Sequence, residues 1–377
     1  MNFLITNYLN KKNGSLVIFL LVSFLFSIKY INRVTPYFLV ISLSITLLYL
    51  LLWNKRYVLF KNKSISGKLF LPLLFLFALF SFFIFKKIPV ETLNVDRWSV
   101  ITSFWDSYFK GDYVYFAKSN VGNYPGPMPF YFILALPFYL IGELGWFSVL
   151  GVFLFYFLIE KKVIDQSLKF IAIVLILINV PYLWEVACRS NIFLNASLVL
   201  WILIYFVDQK KISSKNNIIT GILIGLILST RNVFVIPFII AFVYSLKAKR
   251  ITFQHAFIIG TAALITFCLT FVPFVWNHFA EFKTMNPFII QSSFLMPFKY
   301  TLVFIVASFT AGLYCKSAND IYFYSGLVLC GTISFYFTYW IIRIGFQETF
   351  VNSYADISYF ILCIPFALYH LLKEDEI

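Results

Sequence analysis

The sequence predicts an all-α fold: a multi-pass transmembrane helical bundle of about 11–13 spans, with a long first outer loop that contains an interfacial amphipathic helix. Three observations predict it. Hydrophobic residues make up 61% of the 377 and charged residues only 12%, where soluble domains carry about 25% charged residues. Apolar runs recur near 15–33, 35–53, 69–87, 128–159, 168–183, 191–207, 217–230, 232–246, 254–275, 299–315, 321–341 and 356–371, many approaching the ~20 residues that a bilayer crossing needs. Lys and Arg gather in the loops between alternate runs. Inside hydrocarbon the runs must be helices, because an open strand would leave backbone N–H and C=O groups without partners.

The first run lacks a small-residue cleavage site and is followed by further spans, so it reads as an uncleaved anchor. The run 128–159 is too long for one upright helix and contains Gly142-Glu-Leu-Gly145. It is either one kinked crossing with a partly inserted segment or two short helices. Counted as one crossing, with the N-terminus inside, it puts the basic loops 54–68, 160–169, 208–216 and 247–253 on the cytoplasmic face. Lys61, Lys63, Lys210 and Lys211 belong to these loops. Both termini then lie in the cytoplasm, in a plasma (bacterial inner) membrane, and residues 1–377 form one transmembrane domain. The net charge of +14 reflects these anchors rather than nucleic-acid binding. The five Cys show no CxxC spacing, so neither a zinc site nor a disulfide framework is indicated.

The same topology gathers polar chemistry on the outer side: Glu91, Asp96, Asp106, Asp112, Glu185, Glu281, Glu348, Asp356 and His278, with Arg33, Arg97, Arg189, Arg231 and Arg343. The outer loop, 89–127, carries much of it. Asp96, Ser99, Ser103, Asp106 and Lys110 recur at spacings of three and four, and Trp98, Ile101, Trp105 and Tyr108 recur on the opposite side. That pattern predicts an amphipathic helix in the membrane interface, Trp and Tyr toward lipid and carboxylates toward water. Gly111 ends it, and Asn123-Tyr-Pro-Gly-Pro-Met-Pro129 turns the chain into the next span. A simple connector needs only a few residues, so a loop this long and aromatic is expected to be functional.

Three stretches carry a resemblance: a long first outer loop opening with Asp96 and closing on "YPGPMPFYFILALPFYLIG" (Tyr124–Gly142), "WEVACRSNIFLN" (Trp184–Asn195) and "GLILSTRNVFVIPF" (Gly225–Phe238). Together, across about residues 69–246, they resemble the GT-C glycosyltransferases, a superfamily that shares architecture more than sequence. These multi-span enzymes, protein O-mannosyltransferases and aminoarabinose transferases among them, take sugar from polyprenyl-phosphate donors at the outer face. The resemblance implies a hexose-type transfer to a glycan, lipid or protein acceptor. Two features depart from the pattern. Asp96 is followed by Arg97 where members often carry paired acids, and two spans precede the loop-bearing pair where many members have one.

Such a reaction needs a base for the acceptor hydroxyl and cations for the departing phosphate. Asp96 is the expected base, with Asp106 and Asp112 as second choices for orienting the acceptor or for a magnesium or manganese ion. Two carboxylates alone are a weak metal signal, so no metal ligand set is assigned. Arg189, Arg231 and Arg343 are the expected phosphate ligands, since each sits beside a predicted outer helix end. Arg97, Tyr124, Glu185 and His278 are expected to bind substrate. Glu185 lies four residues before Arg189, which also suits a helical ion pair. Two other readings remain open. A polysaccharide (O-antigen-type) polymerase or ligase would use polyprenyl-diphosphate glycans, but usually carries its large outer loop late in the chain. A lipid-linked sugar transporter or flippase would show internal repeats or mid-depth charge. Neither feature stands out here, apart from Glu143.

Overall fold

The structure, a computed structural model, describes residues 10–56, 58, 67–209, 213–294 and 297–373. Lys61, Lys63, Lys210, Lys211 and the two ends of the chain lie outside the described residues. Among those described the fold is all-helical, without a strand. The helices are α1 (Lys11–Ile31), α2 (Phe38–Asn54), α3 (Phe70–Lys87), α4 (Arg97–Lys110), α5 (Pro129–Ile141), α6 (Gly145–Lys162), α7 (Gln166–Leu177), α8 (Val180–Ala187), α9 (Ile192–Val207), α10 (Ser214–Leu228), α11 (Val235–Lys247), α12 (Phe253–Val275), α13 (Phe279–Thr284), α14 (Pro287–Phe294), α15 (Phe298–Tyr314), α16 (Ala318–Phe346) and α17 (Ile364–Leu372). A π turn, Gln347–Val351, and a 3-10 segment, Ile357–Cys363, join the last two.

By length and hydropathy four helices are fit to cross a membrane: α1, α3, α12 and the continuous Ala318–Val351. There are up to six if the bent pairs α5–α6 (118°) and α7–α8 (54°) each count as one. The remaining apolar helices are shorter. α2, α9 and α10 hold 17, 16 and 15 residues, or about 22–26 Å at the helical rise, where the hydrocarbon layer is about 30 Å thick. Chain breaks at polar corners explain the shortness; α10 and α11, for example, are separated by Ser229-Thr-Arg231 and a 3-10 turn.

The bundle has two chemically distinct ends. At one end Lys11 pairs with Asp320 (2.6 Å), Ser15 Oγ meets His370 Nδ1 (2.8 Å) and Lys162 pairs with Asp208 (2.6 Å). The start of α1 and the end of α17 therefore share this end. At the other end lie α4, α5, the α8–α9 corner and the α10–α11 corner. The run 128–159, left open by the sequence, resolves into two helices of different kinds. Met128 N–H donates to Thr230 O (3.2 Å), and just beyond α5 Glu143 accepts from Arg189 Nε (3.2 Å). α5 thus begins and ends at the same end, turned at Gly142 in the left-handed conformation (φ 85°). α6 alone runs the bundle's length, from Ser148, bonded to Ser190 O, to Lys162.

α4 corrects one expectation. Its apolar side, predicted to face lipid, packs on protein: Ile101, Phe104 and Trp105 are buried. Phe104 stacks on Phe132 of α5 at 3.6 Å, Trp105 Nε1 donates to Phe132 O (3.1 Å), and Phe274 of α12 closes the cluster. Periodicity identifies an apolar face but not what covers it, and here a second small core does. The polar side holds the returning loop, with Ser99 Oγ donating to Asn120 Oδ1 at 2.6 Å.

Candidate functional site

The site is built where four chain corners meet. The α4 corner supplies Asp96 and Arg97. Asp96 is the helix N-cap, yet its carboxylate caps nothing in α4. Asp96 Oδ2 instead accepts from Asn123 Nδ2 (2.8 Å) and Ser119 Oγ (3.4 Å) of the returning loop, and the residue stays partly open. Arg97 turns the other way. It pairs with Asp356, donates to Ser358 Oγ (2.9 Å), and has its Cζ 5.5 Å from the Tyr359 ring. Burial works against the charged guanidinium, but Tyr359, Asp96 and Tyr131 outweigh it, so the Arg97 pKa is raised.

The α10–α11 corner supplies Arg231 on extended backbone, its side chain about nine-tenths buried. Its Cζ lies 5.5 Å from the Tyr131 ring and 5.6 Å from the Tyr359 ring. Tyr359 thus lies within electrostatic reach of both Arg97 and Arg231. Arg231 Nε and Nη2 nevertheless have no hydrogen-bond partner among the described residues. Buried guanidinium N–H groups are seldom left unmet, because each costs a desolvation penalty of about 1–3 kcal/mol. The arrangement suits an anion arriving from outside.

The α8–α9 corner supplies the floor. Glu185 is fully buried and takes the Phe193 N–H on both oxygens (2.9 and 3.2 Å), within electrostatic reach of Arg97 and Arg231. Asn195 Nδ2 donates to Asn191 Oδ1 (3.0 Å), and Asn191 Nδ2 donates to Tyr131 OH (3.1 Å). This relay fixes the ring beneath Arg231. Tyr131 is in turn within electrostatic reach of Arg231, Arg97 and Asp96. Beside them, burial pushes the Cys188 thiol up to about 12.

Of the residues expected from sequence, the structure brings Asp96, Arg97, Glu185 and Arg231 into this cluster. Tyr124 adjoins Asn123 on its rim, with Lys118 Nζ 5.4 Å from its ring. The others stand apart. Asp106 is exposed and accepts from Tyr139 OH (2.6 Å), and Asp112 is exposed beyond the end of α4. Arg343 is exposed over Tyr339, while His278 faces Glu281 at 3.7 Å.

Arg189 is buried, but its donors are taken: Glu143 (3.2 Å) and the carbonyls of Ala187 (2.7 Å), Phe85 (3.1 Å) and Ile88 (2.9 Å) accept from it. The suggested Glu185–Arg189 helical pair does not form. α8 stops at Ala187 and Arg189 is left-handed (φ 54°), with Ser190 N–H on Glu185 O and Arg189 N–H on Val186 O. The spacing of four therefore no longer puts the two side chains on one face.

Sequence reasoning missed Tyr131, Asn191, Asp356, Ser358 and Tyr359. A polar pair at a spacing of four in an apolar helix, Asn191 and Asn195, was the available signal; the tyrosines had none. Among the described residues no three of His, Cys, Asp and Glu converge as a metal site. Comparison with family models, curated proteins and solved structures gives no match.

Proposed function

We propose that this chain is an inverting membrane glycosyltransferase that moves a hexose-type sugar from a polyprenyl-phosphate donor to an acceptor glycan, lipid or protein at the outer face. Asp96 is the general base. Arg231, set beside the Tyr131 and Tyr359 rings, holds the donor phosphate. One observation carries the reading: a carboxylate and a buried guanidinium with unmet donors, chosen separately from the sequence as base and phosphate ligand, belong to one cluster at one end of an apolar bundle.

In the reaction Asp96 takes the proton of the acceptor hydroxyl as that oxygen bonds to the anomeric carbon. The bond from the anomeric carbon to the phosphate oxygen breaks, and its electron pair leaves on the phosphate. Arg231 Nε and Nη2 donate to the oxygens on which that charge grows. The isoprenoid tail lies among the apolar helices while the phosphate stays at headgroup depth. Asn123 and Ser119 keep the Asp96 carboxylate turned to the loop side, where an acceptor arrives. The sidedness is supported by the opposite end, where Lys11, Lys162, Lys169 and Lys247 gather as in cytoplasmic loops. Both termini would then be cytoplasmic in a plasma membrane, and the shorter apolar helices would complete the 11–13 spans.

The test is transfer by the full chain in proteoliposomes supplied with a polyprenyl lipid extract, read as release of polyprenyl phosphate. Asp96→Asn should lower turnover by about a hundredfold or more while the melting temperature and donor binding are kept. An unchanged rate removes Asp96 from the mechanism.

A further inference from the structure

The segment 347–359 runs along a row of four cations. Phe350 covers Lys29, whose Nζ lies 5.4 Å from the ring centroid. Ser353 Oγ accepts from Arg33 Nη2 at 3.3 Å. Asp356 and Ser358 hold Arg97, and the Tyr359 ring lies 5.5 Å from Arg97 Cζ and 5.6 Å from Arg231 Cζ. The row is unevenly matched: among the described residues, Asp356 is the one carboxylate in ion-pair contact with it.

Among the described residues its first two members have no carboxylate in ion-pair contact. Lys29 is 4% exposed, its stem covered by its neighbours. Arg33 is exposed in the turn just beyond α1, within electrostatic reach of Lys29, and the two like charges repel. The C-terminal end of a helix favours cations, but it supplies no counter-ion to a half-covered ammonium. The two cations adjoin the candidate site through Tyr30. Arg33 Cζ lies 5.1 Å from the Tyr30 ring, and Tyr30 is within electrostatic reach of both Arg33 and Arg97.

We infer that Lys29 and Arg33 form a second anion subsite, on the Arg97 side of the candidate site, which takes a lipid-borne phosphate. Two sources share that chemistry: the second phosphate of a polyprenyl diphosphate whose first sits on Arg231, or the headgroup phosphate of a bilayer phospholipid lying beside the donor. The covering turn, with Phe350 between left-handed Gly345 (φ 88°) and Ser353 (φ 66°), is the element an entering phosphate displaces. The inference deepens the transferase reading in one respect, the number of phosphates held, and rests on that reading only for the first of them.

The test measures binding alone, so a failure of the transfer chemistry leaves it intact. The full chain, its Lys29→Met and Arg33→Gln variants, and the double variant are titrated by native mass spectrometry. The probes are geranylgeranyl phosphate, geranylgeranyl diphosphate and phosphatidylglycerol. If the diphosphate is the occupant, the unaltered chain binds it about tenfold or more tighter than the monophosphate, and each variant shrinks that advantage with monophosphate binding unchanged. If a phospholipid is the occupant, retained phosphatidylglycerol falls about tenfold in the variants and both polyprenyl affinities stay put. Lys29→Met should melt no lower than the unaltered chain, since it removes an unpaired buried charge at similar volume. Should it fail to fold, exposed Arg33→Gln decides alone. Affinities for all three probes unchanged in Arg33→Gln would overturn the inference.

Discussion

At the residue scale, two arginines that look alike in the sequence have opposite roles. Both stand at corners between apolar helices, and both were candidates for phosphate. Arg189 has its donors bonded to Glu143 and three carbonyls and braces a corner whose backbone it itself strains, whereas Arg231 keeps two buried donors unmet. Arg189→Met should therefore lower unfolding free energy by about 3 kcal/mol or more, because Glu143 and several carbonyls lose their donor at once. Thermal or denaturant melting of the detergent-solubilised chain checks this, and a melting point within a degree of the unaltered chain would contradict it. Arg231 had little local signal to distinguish it from Arg189; what separates them is the company each keeps. Asp96 was more legible, since it opens the polar loop. Asp356 was read as one outer-side acid among several and Tyr359 was invisible, because their partner Arg97 lies some 260 residues away, and one tyrosine among 24 in an apolar chain has no distinguishing neighbourhood.

At the element scale the apolar periodicity was sufficient to locate the helices but not their partners. α4 was legible as an amphipathic helix from its spacings of three and four; that its aromatic side meets α5 and α12 rather than lipid depended on a second core drawn from distant segments. α5 and α6 were legible as one long run with a break at Gly142-Glu-Leu-Gly145. Only the 118° bend and the Glu143–Arg189 pair separate a helix that stays at the site end from one that runs the bundle's length. The α10–α12 pair offers a sharper test. A Cβ on Gly221 would lie 2.6 Å from Ile259 O and from Ala262 Cβ, so the helices approach at a distance only glycine allows. Gly221→Val should destabilise the chain by about 1–3 kcal/mol and, because α10 ends at the Arg231 corner, weaken donor binding as well. A normal melting point together with normal binding would show that this contact does not set the corner.

At the scale of the whole molecule, composition alone established an apolar helical bundle, and the arrangement of charge gave it two different ends. One end gathers lysines and both described terminal helices; the other gathers Asp96, Arg97, Glu185 and Arg231. A transport pathway would need polar groups distributed along the bundle, whereas a transferase working on lipid-borne sugar needs them at one face, beside apolar helices that can receive a tail. The most direct measurement is native mass spectrometry of the gently extracted full chain and of its Arg231→Met variant. The account predicts a co-purifying polyprenyl phosphate bearing one sugar on the unaltered chain, and its occupancy cut by about tenfold or more in the variant, in keeping with one lost charge-assisted contact. Equal polyprenyl occupancy in both proteins, or bilayer phospholipid as the sole bound lipid, would contradict it.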